Sequence, residues 1–369
     1  MAWALQVPGS RNMSPPARCA YACASTPAPV VHVGGRQGGT DAPNPSVQAL
    51  LYVFVAVVLK LVVSPPGAII MYWALGRYSS VVRVMREHAD EPRAQWMGCG
   101  CIGWGQRAGT AGLAKLRAVA DCGGLDVIVA AMDTHRIYHG VQQEGCAALR
   151  TLALDANMHA EIAKAGGITC ILNAMKYAAN GSSYQAIHLK ANGAFINLAM
   201  STAGKEAIVA AGGAEAVVES LKKNGGNIKL VGTCCNVLIN LSVEHPKNQE
   251  VLAKAGAIDA LVRMMKSHSI SANLMRQALW ALSNLSCVAD NRKRLASLHG
   301  AEQIVQAMAD HEGAWAVQWR AAQCLRQMAS SKVRPQHVCF NSSSALAQRL
   351  LPLAHLGARA LCPWLGRAR

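Results

Sequence analysis

Between residues 122 and 328 the apolar positions fall into blocks of one shape. A small-residue turn opens each block and a short apolar-rich stretch follows. The stretches are Cys122-Gly-Gly-Leu-Asp-Val-Ile-Val-Ala-Ala-Met132, Ala165-Gly-Gly-Ile-Thr-Cys-Ile-Leu-Asn-Ala-Met175, 211–221, 255–265 and 299–308. Anchored on Gly123, Gly166, Gly212, Gly256 and Gly300, they are spaced by 43, 46, 44 and 44 residues. A second stretch follows each at constant distance and ends on Leu152, Leu198, Leu241, Leu285 and Met328. Three residues before these ends stand Leu149, Phe195, Leu238, Leu282 and Leu325, and four before stand Ala148, Ala194, Val237, Ala281 and Cys324. That spacing makes one apolar helix face. A shorter amphipathic piece precedes each turn, as in 160–164 and 248–252. The pattern predicts three helices per block, and a period of this size means stacked repeats.

A weaker copy lies upstream. At an offset of 47, Ser79–Met85 falls on Asp126–Met132, Gln95 on Gln142, and Gly98-Cys99 on Gly145-Cys146. Its last stretch holds Gly98, Gly100, Gly103 and Gly105. Each glycine costs a helix roughly 1 kcal/mol relative to alanine, so this copy is expected to be a frayed N-terminal cap.

The period, the three-helix grammar and Trp280-Ala-Leu-Ser-Asn-Leu285 resemble the armadillo repeat family. The resemblance covers 76–331 and is specific through 123–330. It implies an all-α, right-handed solenoid of about six three-helix repeats, five clear and the first degenerate, whose third helices line a concave groove.

One step before each final apolar residue stands a polar ladder: Thr151, Asn197, Asn240, Asn284 and Gln327. In armadillo proteins such as importin-α and β-catenin the asparagine at this place holds the backbone of an extended peptide. An Asn amide can donate and accept. The alternative is that these side chains bind the protein's own loops or water. Four residues before the ladder come Ala147, Gly193, Asn236, Trp280 and Gln323, and seven before it Glu144, Lys190, Thr233, Gln277 and Arg320. The candidate groove residues are therefore Thr151, Lys190, Asn197, Asn236, Asn240, Gln277, Trp280, Asn284, Arg320 and Gln327. The face is mixed to mildly basic, which would favour a peptide of some acidic character; the alternative is an ordinary solvated helix face. Importin-α-like grooves repeat the Trp–Asn pair; here it occurs once, as Trp280 with Asn284, which weighs against a nuclear import adaptor.

Only 5% of the 369 residues are aromatic while 52% are hydrophobic, as suits many close-packed layers built on Ala, Val and Leu. Net charge is +16. Residues 76–331 hold +7 of it and the two ends +9, so nucleic acid loses its main support as a partner. Thirteen cysteines show no disulfide-framework or zinc spacing. Cys99, Cys146 and Cys235 share one register, as packing residues do. Catalytic signatures such as H-E-x-x-H, G-x-S-x-G and Walker A do not occur. The sequence calls for no enzyme, cofactor or metal.

Residues 1–45 are rich in Ala, Pro, Ser and Gly, and are read as a disordered or targeting-like segment. Residues 46–75 are apolar, with Lys60 and Pro65-Pro66 interrupting them. They are read either as a membrane anchor or as a helix capping the array. Residues 332–369 form a basic tail with a candidate capping helix. The expected function is a non-catalytic scaffold or adaptor, cytoplasmic or membrane-associated, that binds an extended segment of a partner protein. The alternatives are an import adaptor and a membrane tether using 47–75.

Overall fold

A computed structural model of the chain describes residues 64–104, 110–178 and 181–329. Among these residues there are eighteen helices and no strand. They form six three-helix layers. The first is α1 (Pro65–Ala74), α2 (Tyr78–Glu87) and α3 (Pro92–Trp104), and the second is α4 (Thr110–Asp121), α5 (Gly124–Thr134) and α6 (His139–Leu152). The third is α7 (Met158–Lys164), α8 (Gly167–Tyr177) and α9 (Ser182–Leu198), and the fourth α10 (Thr202–Ala210), α11 (Gly213–Lys223) and α12 (Ile228–Ser242). The fifth is α13 (Pro246–Lys254), α14 (Ala257–Ser267) and α15 (Ala272–Leu285), and the sixth α16 (Ala289–Ser297), α17 (Gly300–Asp310) and α18 (Trp315–Ala329). Each second helix packs on the second helix of the next layer, and each third helix on the next third helix. One continuous core of buried side chains runs from Ile69 to Cys324. It is aliphatic and small, and Phe195 is its largest fully buried side chain.

From the second layer on, the turn into each second helix is set by a left-handed residue. Gly123, Gly166, Gly212 and Gly256 have φ of 80°, 84°, 90° and 89°. In the last layer this place is held by His299, at φ 55°, and not by Gly300. The spacing of glycines placed the last anchor one residue too late: Gly300 begins α17, and a side chain there would strike the backbone of Leu295. A glycine N-cap offers no side-chain acceptor, and none of these helices has a side-chain cap. In α5, α11, α14 and α17, though not in α8, an acid stands in the first turn instead, as Asp126, Glu215, Asp259 and Glu302, where negative charge suits the helix dipole.

The C-terminal carbonyls of the second helices are met by one register of the third. The Nε2 of Gln95 donates to the carbonyls of Met85 (2.8 Å) and His88 (2.7 Å). Gln142 does the same to Met132 and His135, and Gln318 to Met308 and His311. In the third layer His188 takes the position and donates from Nε2 to the Met175 carbonyl at 3.1 Å.

The first copy is not frayed over its described third helix. Cys99, Cys101 and Ile102 of α3 are buried, and the glycines serve contact. A Cβ on Gly103 would lie 3.1 Å from the Ala147 Cβ and 3.2 Å from the Ala148 nitrogen of α6. The segment expected as anchor or cap divides. Its part 65–74 is α1, capped by Ser64 and packed on α2 and α3. Residues 47–63, like 1–45 and 332–369, lie outside the described residues. Among the described residues no helix is long and apolar enough to cross a membrane.

Left-handed backbone costs a non-glycine residue about 1–2 kcal/mol. His299→Gly should therefore raise stability by about 1 kcal/mol, and Gly166→Ala, where a Cβ would touch nothing within 4 Å, should lower it by a similar amount. Chemical denaturation read by circular dichroism checks both.

Candidate partner-binding groove

The third helices α3, α6, α9, α12, α15 and α18 stand side by side in one row. Their ends generate the polar ladder. At the end of α6 the Ala153 N–H bonds the Leu149 carbonyl and the Leu154 N–H bonds that of Thr151, so the turn tightens and skips Arg150. At the end of α9 the same change, from Ala199–Phe195 to Met200–Asn197, skips Ile196. Carbonyls at helix ends need partners from outside the helix. The next layer supplies them: Asn197 Nδ2 donates to the Arg150 carbonyl at 2.8 Å, and Asn240 Nδ2 to the Ile196 carbonyl at 3.0 Å. Thr151 Oγ1 donates to the Gly103 carbonyl at 3.1 Å. α12 ends differently, with the Val243 N–H already on the Ile239 carbonyl. Asn284 Nδ2 accordingly reaches Ile239 only at 3.4 Å and shares itself with Ser242 Oγ at 3.2 Å.

The ladder thus faces two ways. One amide hydrogen of each asparagine ties its helix to the preceding one. The Oδ1 atoms of Asn197, Asn240 and Asn284 are used by no hydrogen bond among the described residues, and these side chains are half-buried. Thr151 spends its one hydrogen inward and is 5% exposed. Gln327 follows in the row on α18, also half-buried.

A second set of contacts joins neighbouring layers lower on the same helices. Gln277 Nε2 donates to Asn236 Oδ1 at 3.0 Å. One layer on, the same two positions are Trp280 and Arg320, and the guanidinium lies over the indole with its carbon 3.8 Å from the ring centroid. Burial, then the nearby Arg276, lowers the Arg320 pKa. Arg320 Nη1 donates to Gln323 Oε1 and Arg276 Nη2 to Asn273 Oδ1; among the described residues neither meets a carboxylate. Lys190 is half-buried on α9 and bonds none of the other candidates. Glu144 is fully buried, takes a bond from Gln143 at Oε1, and has no partner at Oε2.

One polar group away from the ladder has the residue types of a catalytic site. His188 Nδ1 lies 2.9 Å from Ser220 Oγ, and Cys234 Sγ 3.6 Å from the same oxygen. Ser220 and Cys234 are fully buried and His188 is 3% exposed. Met175's carbonyl can only accept, so Nε2 carries the hydrogen and Nδ1 accepts from the Ser220 hydroxyl. The group is sealed from substrate and closes the core. Burial brings the His188 pKa down to about 4. The thiols follow the same rule: burial raises Cys101 and Cys324 to about 12 and Cys234 to about 11.

Residues 245–287, the span of α13 to α15, match the Armadillo/beta-catenin-like repeat family. The chain carries an armadillo repeat there. The armadillo array is similar to the Rap1 GTPase-GDP dissociation stimulator 1-A of Xenopus laevis, 31% identical over 108 residues, which is 28% of this chain and 18% of the relative. It is 33% identical over 136 residues to protein aardvark of Dictyostelium discoideum, across 34% of this chain and 18% of that protein. The similarity therefore spans under a fifth of either relative's length. Among solved structures, an engineered protein aligns over 86% of this chain and 82% of its own at a TM-score of 0.60 and 20% identity. A computationally designed armadillo repeat protein for modular peptide recognition aligns over 69% and 99% at 0.58 and 15%. A designed armadillo repeat protein in complex with the peptide (KR)4 aligns over 68% and 98% at 0.56 and 17%. At these identities the likeness concerns the fold.

Removing a partner from a buried carbonyl costs about 1–3 kcal/mol, so Asn240→Ala should lower the stability of the armadillo array by about 1–2 kcal/mol in urea unfolding. His188 has a folded pKa below its unfolded value near 6.5. The unfolded chain then binds more protons between those values, and stability falls as pH drops from 6.5 toward 4, by at most about 1.4 kcal/mol per unit. His188→Gln, which copies Gln142, should flatten that part of the stability–pH curve.

Proposed function

We propose that the protein is a non-catalytic armadillo scaffold that holds an extended segment of a partner protein along its third helices. The observation that carries this reading is the division of labour in the ladder. Asn197 and Asn240 each commit one N–H to the preceding helix and keep Oδ1 and a second N–H unused among the described residues, while Asn284 commits its amide nitrogen to Ile239 and Ser242 and keeps Oδ1. Those are the groups that pair with the N–H and C=O of an extended backbone. The designed neighbours, built for peptide recognition or bound to a peptide, support the reading by analogy of fold. Of the remaining candidates, Asn236, Gln277, Trp280 and Arg320 form the interlayer contacts beside the ladder, and Lys190 continues their row. Thr151 and Gln277 then act as supports, since both are buried. The Trp280 face that an import adaptor would offer to a lysine stem is covered by Arg320, which favours a scaffold over a carrier of basic signals.

Selection of a random displayed-peptide library on the full chain tests this. Peptides enriched on the wild type should bind the double variant Asn240→Ala, Asn284→Ala at least about tenfold more weakly while that variant keeps its helical circular dichroism. Equal affinity for a folded double variant would overturn the assignment.

A further inference from the structure

We propose that the end of the groove formed by α12, α15 and α18 takes an acidic extended segment, with its carboxylates seated on Arg276 and Arg320 beside the Trp280 ring. This rests on the groove reading above and names the chemistry of the occupant.

The first ground is the sign of the charge along the row. The six third helices carry Arg93, Arg150, Lys190, Lys229, Arg276, Arg320 and Arg326 against a single acid, Glu144. Glu144 is fully buried on α6, far along the row from α18. From α12 onward the third helices have no acid at all. The array as a whole is not built this way, since residues 76–331 hold 19 acids. The carboxylates are on the first and second helices and in the turns.

The second ground is the state of the two arginines. Arg320 is held over the Trp280 ring and bonded to Gln323 Oε1, so its position is set before any ligand arrives. An indole face attracts a cation but does not neutralise it. Arg276 is close enough to depress the Arg320 pKa, and the two guanidiniums share no carboxylate among the described residues. Two fixed like charges without a counter-ion form a site where a carboxylate gains from both, by charge-assisted and often bidentate hydrogen bonds. The third ground is steric. A basic ligand would have to displace Arg320 from the indole and enter a field of its own sign, whereas an acidic one leaves the pair in place. The free Oδ1 atoms of Asn240 and Asn284 lie along the same helices, ready for the backbone N–H groups of the same segment.

The test uses the full chain and fluorescein-labelled peptides of equal length with alternating Glu-Ser, Gln-Ser and Lys-Ser sequence, read by anisotropy. The acidic peptide should bind at least about tenfold more tightly than the neutral one, weaken as salt rises, and lose at least about tenfold in affinity on Arg320→Glu or Arg276→Glu. Arg320→Gln, which keeps a side chain on the indole, should give a smaller loss. Lys266→Glu on α14, in the row of second helices, should leave binding unchanged. Circular dichroism confirms that each variant is folded. Equal or tighter binding of the basic peptide overturns the proposal, as does an acidic peptide indifferent to both charge reversals. If the neutral peptide binds as well as the acidic one and depends on Asn240 and Asn284, the groove stands and the acidic preference falls. If no peptide binds, both fall. A single-stranded oligonucleotide that displaces the acidic peptide at equal charge would also overturn it.

Discussion

The structure depends on the contact between one third helix and the next. No layer of this protein can bury its own apolar faces, so a layer is stable only where its neighbours complete it. The third-helix contact is the densest of these completions. It is made close by small residues, among them Cys99, Cys146 and Cys235 in one register and Ala147 against Gly103. Packing of small side chains is permissive in register, and a row of similar helices could slide by a turn. The hydrogen bonds from Asn197 and Asn240 remove that freedom. Each requires one carbonyl, and that carbonyl is available only because the preceding helix ends by a tightened turn that skips it. Helix termination in one layer thereby sets the alignment of the next.

This constraint also shapes what the outer surface of the row can offer. A side chain that spans to the neighbouring helix is held in one rotamer before any ligand arrives, so its remaining donor and acceptor are preorganised. Ordering entropy that a binding event would otherwise oppose has been met in folding. Thr151 shows the limit of the device. Its single hydroxyl hydrogen satisfies Gly103, and the residue is buried. Asparagine has a second hydrogen and an oxygen in reserve. The difference between the two ends of the ladder follows from that count of polar atoms.

The helices themselves were legible from period alone, because apolar positions three and four residues apart recur in five copies. The ladder was legible as a row of polar residues at one step from an apolar anchor. Its inward half was not. The partner of Asn240 is a backbone carbonyl 44 residues away, and nothing in the side-chain sequence marks which carbonyl a helix end will leave open. The pairing of Trp280 with Arg320 was hidden in the same way, since the two residues fall in separate registers and meet only when neighbouring layers stack. The Gln142 register was visible as an alignment with Gln95, yet its task of meeting the ends of second helices needs the turn geometry. Counting glycines misplaced the last anchor by one residue because His299 fills a left-handed position that the other copies give to glycine. In the first copy helix propensity argued for fraying, and tertiary contact prevailed: Gly103 is there so that α6 can approach.

Charge separation along the array has a folding cause. From the second layer on, the second helices begin on left-handed residues, four of them glycines with no side chain to cap the exposed N–H groups. An acid in the first turn compensates through the helix dipole, and Asp126, Glu215, Asp259 and Glu302 all stand there. Third helices start differently. Asn227 and Ser271 cap α12 and α15 with neutral side chains, so no carboxylate is needed at their ends. Acids thereby gather in the first turns of α5, α11, α14 and α17, while α6 and α9 start with neither a side-chain cap nor an acid, and from α12 onward the third helices carry bases and no acid. A mildly basic array thus presents one row almost without acids, and Arg320 over Trp280 is a fixed point in it.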